Sequence, residues 1–259
     1  MKTDRPAAIR EHLFKHGLTP VQVLADEIGT SLATLRRDLA ALEKSGVIER
    51  VHGAARIADG ASVEVAFSQR ETVHLAAKRS IASAAFEIIE PKSILFLDAG
   101  TTVLQLARLI KLSQMPVTVF TNGLMVAQEL MAVPNVQVTI LGGSARYENM
   151  SVVGPLAEAM LEGLWFDRLF LGASAIDDSL LMTSYDAQEA RLNSAMASRA
   201  AHVCVVADSS KFGRRATYSV LPLRAPHQLI TNAQVSADKA LMASVVAPTI
   251  TIASGDDHV

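Results

Sequence analysis

Two patterns of apolar and polar positions divide the chain. Up to residue 58, apolar residues recur every three or four positions, a spacing that predicts amphipathic helices. After residue 72, short apolar runs alternate with further helical patterns. The stretch between them is rich in small and polar residues. We therefore predict an N-terminal domain at 1–58, a linker at 59–71 and a C-terminal domain at 72–259.

The N-terminal pattern predicts three helices followed by a β-hairpin. The third helix has the clearest apolar stripe, formed by Leu32, Leu35, Leu39 and Leu42. The residues expected to begin and end these elements are Gly17 after the first helix, Thr19 (N-cap), Pro20 and Gly29 around the second, Ser31 (N-cap) and Gly46 around the third, and Gly53 at the hairpin turn. Helices and a hairpin in this order predict a winged helix-turn-helix, a fold that places one helix in a DNA groove.

The C-terminal pattern predicts strands that alternate with helices. Strand-like runs occupy 94–98, 117–122, 136–143, 167–174, 202–208, 228–232 and 249–253. Helix-like runs occupy 78–89, 102–111, 124–132, 155–164, 187–200 and 236–246. Alternation of this kind builds a mostly parallel sheet that helices cover on both faces. We therefore predict a Rossmann-like α/β fold for this domain.

The charge distribution is uneven between the two predicted domains. Half of the 259 residues are hydrophobic and 19% are charged, which is ordinary for a soluble α/β protein. Residues 1–58 contain nine Lys and Arg against seven Asp and Glu, a net charge of +2. Since the whole chain has a net charge of −2, the remainder carries −4. A mildly basic module joined to an acidic domain is compatible with nucleic-acid binding.

The chain lacks the sequence marks of export, membrane insertion and metal binding. Cys204 is the single cysteine, so no internal disulfide forms and a reducing compartment fits. No signal-peptide pattern opens the chain, and no apolar run approaches the ~18 residues of a membrane helix. The histidines show no metal-site spacing. We expect a cytoplasmic protein with no membrane contact, no metal and no cofactor.

Paired arginines in the third predicted helix are the first candidate chemistry. Arg36 and Arg37 point about 100° apart on a helix, so one can reach a base edge while the other holds phosphate. The hydroxyls of Ser31 and Thr34 lie in the first turn, where a helix N-terminus meets phosphate. Two further candidates flank the expected hairpin tip: His52 and Arg56. Taken alone, the motif also fits a solvated helix face in which Asp38 holds one arginine.

A second group of candidates follows the predicted strands. Gly100 allows a ligand to approach the backbone closely, and Thr101 and Thr102 offer hydroxyls and N–H groups at a helix N-terminus, where anions bind. Asp98 can accept hydrogen bonds from sugar hydroxyls, and Lys211 supplies a mobile cation. A second close approach is expected at Gly142 and Gly143. These positions fall at the carboxyl ends of strands, where open α/β sheets bind ligands. Alternatively, each glycine is only a turn and each threonine only a cap.

The N-terminal motif resembles the signature of the DeoR family of bacterial transcription regulators. The matching residues are Ser31, Thr34, Leu35, Arg36, Arg37, Asp38, Leu39, Leu42, Glu43, Gly46, Arg50, His52 and Gly53. Ala54 stands where the family has a second glycine, which puts the usual turn of the hairpin in question. Blocks that resemble the family's effector domain are 96–102, 121–122, 141–143, 152–155 and 207–213, preceded by Arg70 and Lys78. The resemblance runs from about residue 5 to about residue 232.

The resemblance implies an effector domain that is similar to sugar-phosphate isomerases and binds phosphorylated sugars. It adds Thr121 and Asn122 to the expected effector-binding residues. The family commonly has a lysine where this chain has Asn193, so another cation, Lys211 or Arg146, is expected to hold the phosphate. Two alternatives stay open: the effector is a less charged sugar derivative, or position 193 lies on a helix surface.

These observations together predict a transcription regulator that represses a carbohydrate-metabolism operon. The expected partners are double-stranded operator DNA and a small phosphorylated sugar. A homo-oligomer, dimer or tetramer, is also expected, because a single winged helix reads only a short site. No catalysis is expected. The alternatives are an isomerase-like enzyme that carries a DNA-binding domain, and a signalling adaptor that does not bind DNA.

Overall fold

A computed structural model of the chain describes residues 5–44, 47–51, 53–57, 67–233 and 246–253. The chain divides into two compact units, Met1–Val65 and Ala66–Val259. Most of the predicted linker lies outside the described residues, and its last residues belong to a helix, Phe67–Thr72. The domain boundaries at residues 58 and 71 stay predictions.

The first unit contains the predicted helices and hairpin. Its described helices are α1 (Arg5–His16), α2 (Val21–Ile28) and α3 (Leu32–Lys44), and its strands are β1 (Thr19–Pro20), β2 (Ile48–Val51) and β3 (Ala54–Ile57). The strands form an antiparallel sheet in the order β1-β3-β2. The winged helix-turn-helix is thereby confirmed.

The apolar stripe of α3 is buried as predicted. Leu35, Leu39 and Leu42 pack in one core with Ile9 and Leu13 of α1. Full burial of each such side chain contributes roughly 1.5–3 kcal/mol. The stripe therefore determines which face of α3 is turned inward, and it leaves the opposite face in solvent.

The start of α2 differs from the expectation. Thr19 is not its N-cap, because this residue pairs with β3, and its hydroxyl donates to the carbonyl of Gly17 at 3.1 Å. Pro20 takes the N-cap position without a side-chain cap. Pairing in the sheet satisfies the Thr19 backbone and overrides its capping preference. Gly29 ends α2 in the left-handed conformation as expected, whereas Gly46 lies outside the described residues.

The second unit alternates strands with helices. Its described strands are β4 (Ile94–Leu97), β5 (Val117–Thr121), β6 (Val136–Ile140), β7 (Ser144–Arg146), β8 (Ser151–Val153), β9 (Phe166–Gly172), β10 (Ala175–Ile176), β11 (Leu181–Ser184), β12 (Ala200–Val206), β13 (Tyr218–Pro222), β14 (Gln228–Thr231) and β15 (Thr249–Ile252). Its described helices are α4 (Phe67–Thr72), α5 (Leu75–Glu87), α6 (Thr101–Ser113), α7 (Leu124–Leu130), α8 (Pro155–Leu161) and α9 (Ala187–Ala197).

Seven strands form one parallel sheet in the order β15-β14-β12-β9-β4-β5-β6. Each of these strands overlaps one of the runs predicted from the sequence. Leu95 and Leu97 of β4 pack in the core under α5, α6 and α7, whereas Phe96 packs in the core under α8 and α9. Helices therefore cover both faces, and the predicted α/β fold is confirmed.

Two small antiparallel sheets were not predicted. One pairs β7 with β8, and the other joins β10, β11 and β13. Their strands are short and lack a clear apolar–polar alternation, so the sequence pattern did not reveal them. The predicted helix at 236–246 lies, apart from residue 246, outside the described residues. No helix in the described part of the chain is long and apolar enough to cross a membrane.

Candidate functional site

The N-terminus of α3 carries the hydroxyls that the sequence singled out. The N–H of Thr34 donates to the side-chain oxygen of Ser31 at 3.3 Å, so Ser31 acts as the predicted N-cap. The two hydroxyls lie 2.9 Å apart. They are held in the first turn of α3, where a helix favours negative charge.

The exposed face of α3 presents both arginines to solvent. Arg36 and Arg37 are exposed, and Arg36 lines a depression of about 420 Å³ together with Arg50 of β2. Asp38 does not hold either of them. It pairs instead with Arg5 of α1, at 2.6 Å between Nε and Oδ2. Because that contact ties α1 to α3, the carboxylate stabilises the unit and leaves the paired arginines available.

The hairpin differs from the expectation for its basic residues. Arg56 lies opposite Glu49 in the β2–β3 register and forms an ion pair with it, which balances its charge. His52 lies outside the described residues. Gly53 has a positive φ of 82°, whereas Ala54 pairs with Val51 as the first residue of β3 and has no positive φ. The hairpin therefore needs only the first of the family's two glycines for its backbone conformation.

A crevice is expected where the sheet order reverses between β4 and β9. The chain runs from β4 through β5 to β6 on one side, and then places β9 on the other side of β4. Ligands of open α/β sheets bind at such a switch point, outside the carboxyl ends of the strands. Gly100 follows β4 and Gly172 ends β9, and a Cβ on Gly100 would lie 3.3 Å from the Cα of Gly172. The absence of side chains lets the two backbones meet here.

Asp98 joins the loops on the two sides of this crevice. It is 5% exposed, and its Oδ2 accepts the N–H of Gly172 at 3.1 Å. Burial raises the pKa of Asp98, while hydrogen bonds from Ala99, Gly172, Gly100 and the Asn122 side chain oppose that rise. The carboxylate is thus engaged in holding the loops together. Its contact with a sugar hydroxyl stays a prediction.

Helix α6 begins beside this crevice without a side-chain cap. Gly100 is the N-cap, and the N–H of Leu104 donates to its carbonyl at 2.9 Å as the first bond of the helix. The N–H groups of the first turn have no partner within the helix, and they favour an anion. Thr101 and Thr102 lie in this turn and are 6% and 7% exposed. The structure therefore places them where the sequence predicted an anion site.

Thr121, which ends β5, and Asn122, which follows it, have different surroundings. The Thr121 hydroxyl donates to the carbonyl of Leu97 at 2.5 Å and accepts the N–H of Gly123 at 2.9 Å. Asn122 is 2% exposed, and its Oδ1 has no hydrogen-bond partner among the described residues. A buried acceptor without a partner costs stability, and a ligand hydroxyl would satisfy it. Asn122 is therefore the better candidate of the two for ligand contact.

Gly142 and Gly143 pack closely against other parts of the chain. The N–H of Gly142 points at the sulfur of Met160, 3.0 Å away. Gly143 has a φ of 148°, and a Cβ there would lie 2.6 Å from the carbonyl oxygen of Val153. The close approach expected at these glycines is thus between segments of the protein. Their contact with an effector stays a prediction.

Gly143→Ala is expected to destabilise the second unit. A non-glycine residue at this φ costs of order 1–3 kcal/mol, and the clash with the Val153 carbonyl adds to that cost. Gly163→Ala is the matched control, because a Cβ there meets nothing within 4 Å. Urea unfolding of the full chain would measure both. Equal midpoints for the two variants would show that the β7–β8 pair moves aside at little cost.

A buried polar network surrounds Glu189 of α9. Its carboxylate pairs with Arg146 at 2.7 Å and accepts the Asn149 amide at 2.7 Å. Arg70 in turn donates to the Asn149 oxygen at 2.6 Å. Arg146 also lies 3.5 Å from Asp186. The positive charge of Arg146 is thus balanced within the protein. The contact of Arg146 with the phosphate of an effector stays a prediction.

Asn193 lies one helical turn after Glu189 and is 7% exposed. The alternative that this position is on a helix surface is therefore wrong. At the same spacing on the helix, a lysine here would face Glu189. In this chain position 193 carries no charge, and Glu189 pairs with Arg146 at 2.7 Å.

Lys211 lies in a short 3₁₀ helix, Ser209–Lys211, close to Lys78 and Asp208. Burial lowers the pKa of Lys211 and Asp208 opposes the shift, so the expected mobile cation is partly buried. Burial also lowers the pKa of Lys78 to about 8. Asp208 is 2% exposed, and although burial alone would raise its pKa, Lys211 and Ser210 hold it below the ordinary value. Lys78 and Lys211 both lie within electrostatic reach of Asp208, and two neighbouring cations suit a phosphate group.

Several residues of these clusters were not identified as site residues from the sequence. The structure adds Arg50 to the exposed basic face, and it adds Asn149, Glu189 and Asp208 to the polar clusters. Lys78 had a detectable signal. Ile81 follows it by three positions and Ala82 by four, so all three residues lie on the buried face of α5, where a lysine is unusual.

Two protein families match this chain, and together they cover most of it. Residues 5–61 match the family described as DeoR-like helix-turn-helix domain, and residues 73–233 match the DeoR C terminal sensor domain. The chain is 36% identical to a putative aga operon transcriptional repressor from Escherichia coli O157:H7, over 91% of this chain and 88% of that protein.

Two further relatives are also transcription regulators by name. The HTH-type transcriptional regulator GlpR from Haloferax volcanii is 38% identical, over 84% of this chain and 85% of that protein. A lactose phosphotransferase system repressor from Staphylococcus epidermidis is 31% identical, over 89% of this chain and 92% of that protein. By these names the relatives are transcription regulators and not enzymes, which contradicts the isomerase-like alternative.

Proposed function

The chain belongs to the DeoR family of transcription regulators, and we propose that it represses a carbohydrate-metabolism operon. In this proposal α3 lies in the major groove of operator DNA, and the second unit binds a phosphorylated sugar that lowers operator affinity. The effector acts because it binds the free and the DNA-bound arrangements with different affinity.

The DNA contacts are proposed for the exposed face of α3 and the adjacent hairpin. Arg36 and Arg37 divide base and phosphate contact between them, and the first-turn hydroxyls of Ser31 and Thr34 meet phosphate. The exposure of both arginines and their freedom from Asp38 support these roles. Arg50, which lines the same depression as Arg36 and lies 3.7 Å from Glu43, is added as a weaker phosphate contact. Arg56 and His52 remain proposed contacts, with a smaller effect for Arg56 because Glu49 neutralises it.

One observation carries the effector assignment: Asp98 bonds both the Gly100 backbone, at the uncapped start of α6, and the side chain of Asn122, whose Oδ1 has no partner among the described residues. N–H groups at a helix N-terminus bind phosphate, and a buried amide oxygen accepts from a sugar hydroxyl. We propose that Gly100, Thr101, Thr102 and Asn122 contact the effector, with Lys211 as a nearby cation. One relative is named a repressor of the lactose phosphotransferase system, and that name favours the same ligand class.

The active form is proposed to be a homo-oligomer. A single winged helix reads only a few base pairs, and a dimer or tetramer would read an operator of repeated half-sites. The spacing of those half-sites would then follow the symmetry of the assembly.

A sugar phosphate is expected to raise the unfolding temperature of the full chain, whereas the matching unphosphorylated sugar is not. Binding to the native state adds RT ln(1 + [L]/Kd), about 2.7 kcal/mol at about 100 times Kd. Thermal unfolding with a panel of pentose and hexose phosphates, each beside its free sugar, would measure the effect. The same compound should weaken operator binding.

Thr101→Ala is expected to remove most of this response, and Thr139→Ala is the matched control on the exposed surface of β6. Both variants should bind operator like the unmodified protein when no effector is present. A panel in which free sugars stabilise as well as their phosphates would rule out the proposed ligand class. An unchanged thermal response in Thr101→Ala would show that the anion does not bind at the N-terminus of α6.

A further inference from the structure

Strand β6 lies at one edge of the seven-stranded sheet, and one of its sides is open. Among the residues that the structure describes, β6 pairs with β5 alone. The N–H of Leu141, just after the strand, donates to the Thr121 carbonyl of β5 at 2.9 Å. Since main-chain groups alternate between the two sides of a strand, those of Val138 and Ile140 point away from the sheet. They form a row of donors and acceptors to which another strand can bind.

The segment around β6 carries no charge. None of the sixteen residues 130–145 is Asp, Glu, Lys, Arg or His, although 19% of the chain is charged. Soluble proteins commonly protect an edge strand with a lysine, a proline or a bulge. Pro134 stands before β6, and the register with β5 is continuous from Val136 to Ile140, so neither proline nor bulge interrupts this edge. The edge therefore lacks the features that keep other chains away.

Exposed apolar side chains lie beside this edge. Ile140 is 40% exposed at the end of β6, and Leu156 and Met160 are exposed on α8. Gly142 connects them, because a Cβ there would lie 3.6 Å from the Leu156 side chain and 3.5 Å from the Met160 sulfur. Apolar surface next to an unpaired strand indicates a surface that a protein partner covers.

The sequence of β6 is complementary to a second copy of itself. An antiparallel pair centred on Val138 places this residue opposite its own copy and places Val136 opposite the partner's Ile140. These three β-branched side chains share one face of the strand, since alternate residues do so. On the other face Gln137 lies opposite the partner's Thr139. Cross-strand pairs of these kinds stabilise a sheet, and no like charges meet.

We propose that β6 pairs with β6 of a second copy of this chain, so that two seven-stranded sheets join into one. The outward N–H and carbonyl of Val138 then bond those of its copy, with Ile140, Leu156 and Met160 beside the contact. An antiparallel contact of one surface with itself closes as a two-fold dimer, whereas pairing of β6 with the opposite edge, β15, would continue without closing. This inference rests on the proposed function, because it supplies the contact surface of the proposed homo-oligomer.

A disulfide tests the register of this contact. Val138→Cys places two thiols opposite each other, with Cα atoms about 5.5 Å apart, which is within reach of a disulfide. Ile140→Cys is the matched control, because it lies four positions, roughly 13 Å, from its own copy. The native Cys204 is buried and does not interfere. The full chain, oxidised without DNA or effector, should give a covalent dimer with Val138→Cys, but not with Ile140→Cys or the unmodified protein.

Sedimentation equilibrium of the full chain at several concentrations measures the strength of the contact. Ile140→Lys should raise the dissociation constant of the dimer about tenfold or more, because it sets a cation against the partner's Val136 at two symmetric places. Leu112→Lys is the matched control at an exposed site of α6, which packs on α7, whereas α7 packs on β6. Thr139→Ala should leave the dimer intact, because the ladder joins main chains.

Wild-type association in Ile140→Lys, or no covalent dimer in Val138→Cys, would overturn the β6 contact. If the unmodified protein still sediments as an oligomer in that case, the homo-oligomer of the proposed function stands and uses another surface. A monomer at every concentration that nevertheless binds operator would overturn both the contact and the homo-oligomer. Growth into long polymers as the concentration rises would show that β6 pairs with β15 of the next copy, and would overturn the two-fold contact.

Discussion

Replacing Arg36 or Arg37 with alanine is expected to weaken operator binding by roughly 1–3 kcal/mol for the residue that reads a base edge. That variant should also tolerate changes at one operator position. The residue that holds phosphate should lose affinity uniformly across sequences and show a flatter dependence on salt concentration. The fold should be unaffected, because both side chains are exposed and the buried stripe of α3 lies on the opposite face.

Binding is measured by titration of the full chain against an operator selected from a random pool of duplexes, at several salt concentrations. Lys15→Ala is the charge-matched control, because it removes one cation from the last turn of α1, where Lys15 pairs with Glu11. Wild-type affinity in both arginine variants would exclude α3 as the recognition helix. An equal loss in Lys15→Ala would show that the effect is one of net charge alone.

Glu189→Ala is expected to lower the free energy of unfolding of the second unit by about 3–5 kcal/mol. The carboxylate is buried and is shared by Arg146 and Asn149, each at 2.7 Å. Its removal takes the nearer carboxylate from the Arg146 guanidinium, which keeps Asp186 at 3.5 Å, and leaves the buried Asn149 amide without this acceptor. Glu189→Gln should cost less, since its amide oxygen can still accept from Asn149.

Urea unfolding of the full chain, followed by a signal from the second unit, measures this loss. Glu162→Ala is the matched control, since Glu162 follows α8 and is exposed. A surface substitution of that kind changes stability by roughly 0.5 kcal/mol or less. A loss in Glu189→Ala no larger than in Glu162→Ala would show that water or another residue replaces the carboxylate.

Local sequence pattern was sufficient to predict the large sheet and helix α3. The strands of the large sheet are buried on both faces by helices, so each appears as a continuous apolar run such as Ile94–Leu97. The stripe of Leu35, Leu39 and Leu42 likewise fixes the inward face of α3 from spacing alone. The glycine and threonines at the start of α6 were recognisable because a helix N-terminus after a strand is a local feature.

Partner choice among the charged residues was decided by the tertiary structure. The sequence placed Asp38 beside Arg36 and Arg37, but packing of α1 against α3 brings Arg5 to it from 33 positions away. Glu189 meets Asn149 across 40 positions, and the charge of Asp208 acts on both Lys78 and Lys211 although α5 and the β12 end are far apart in the chain. An ion pair depends on where two side chains meet after folding, whereas helical and strand periodicity is set by neighbours within one or two turns. The chain's own pattern therefore determined the fold and the exposed arginines, and only packing decided which charges are balanced and which remain for a ligand.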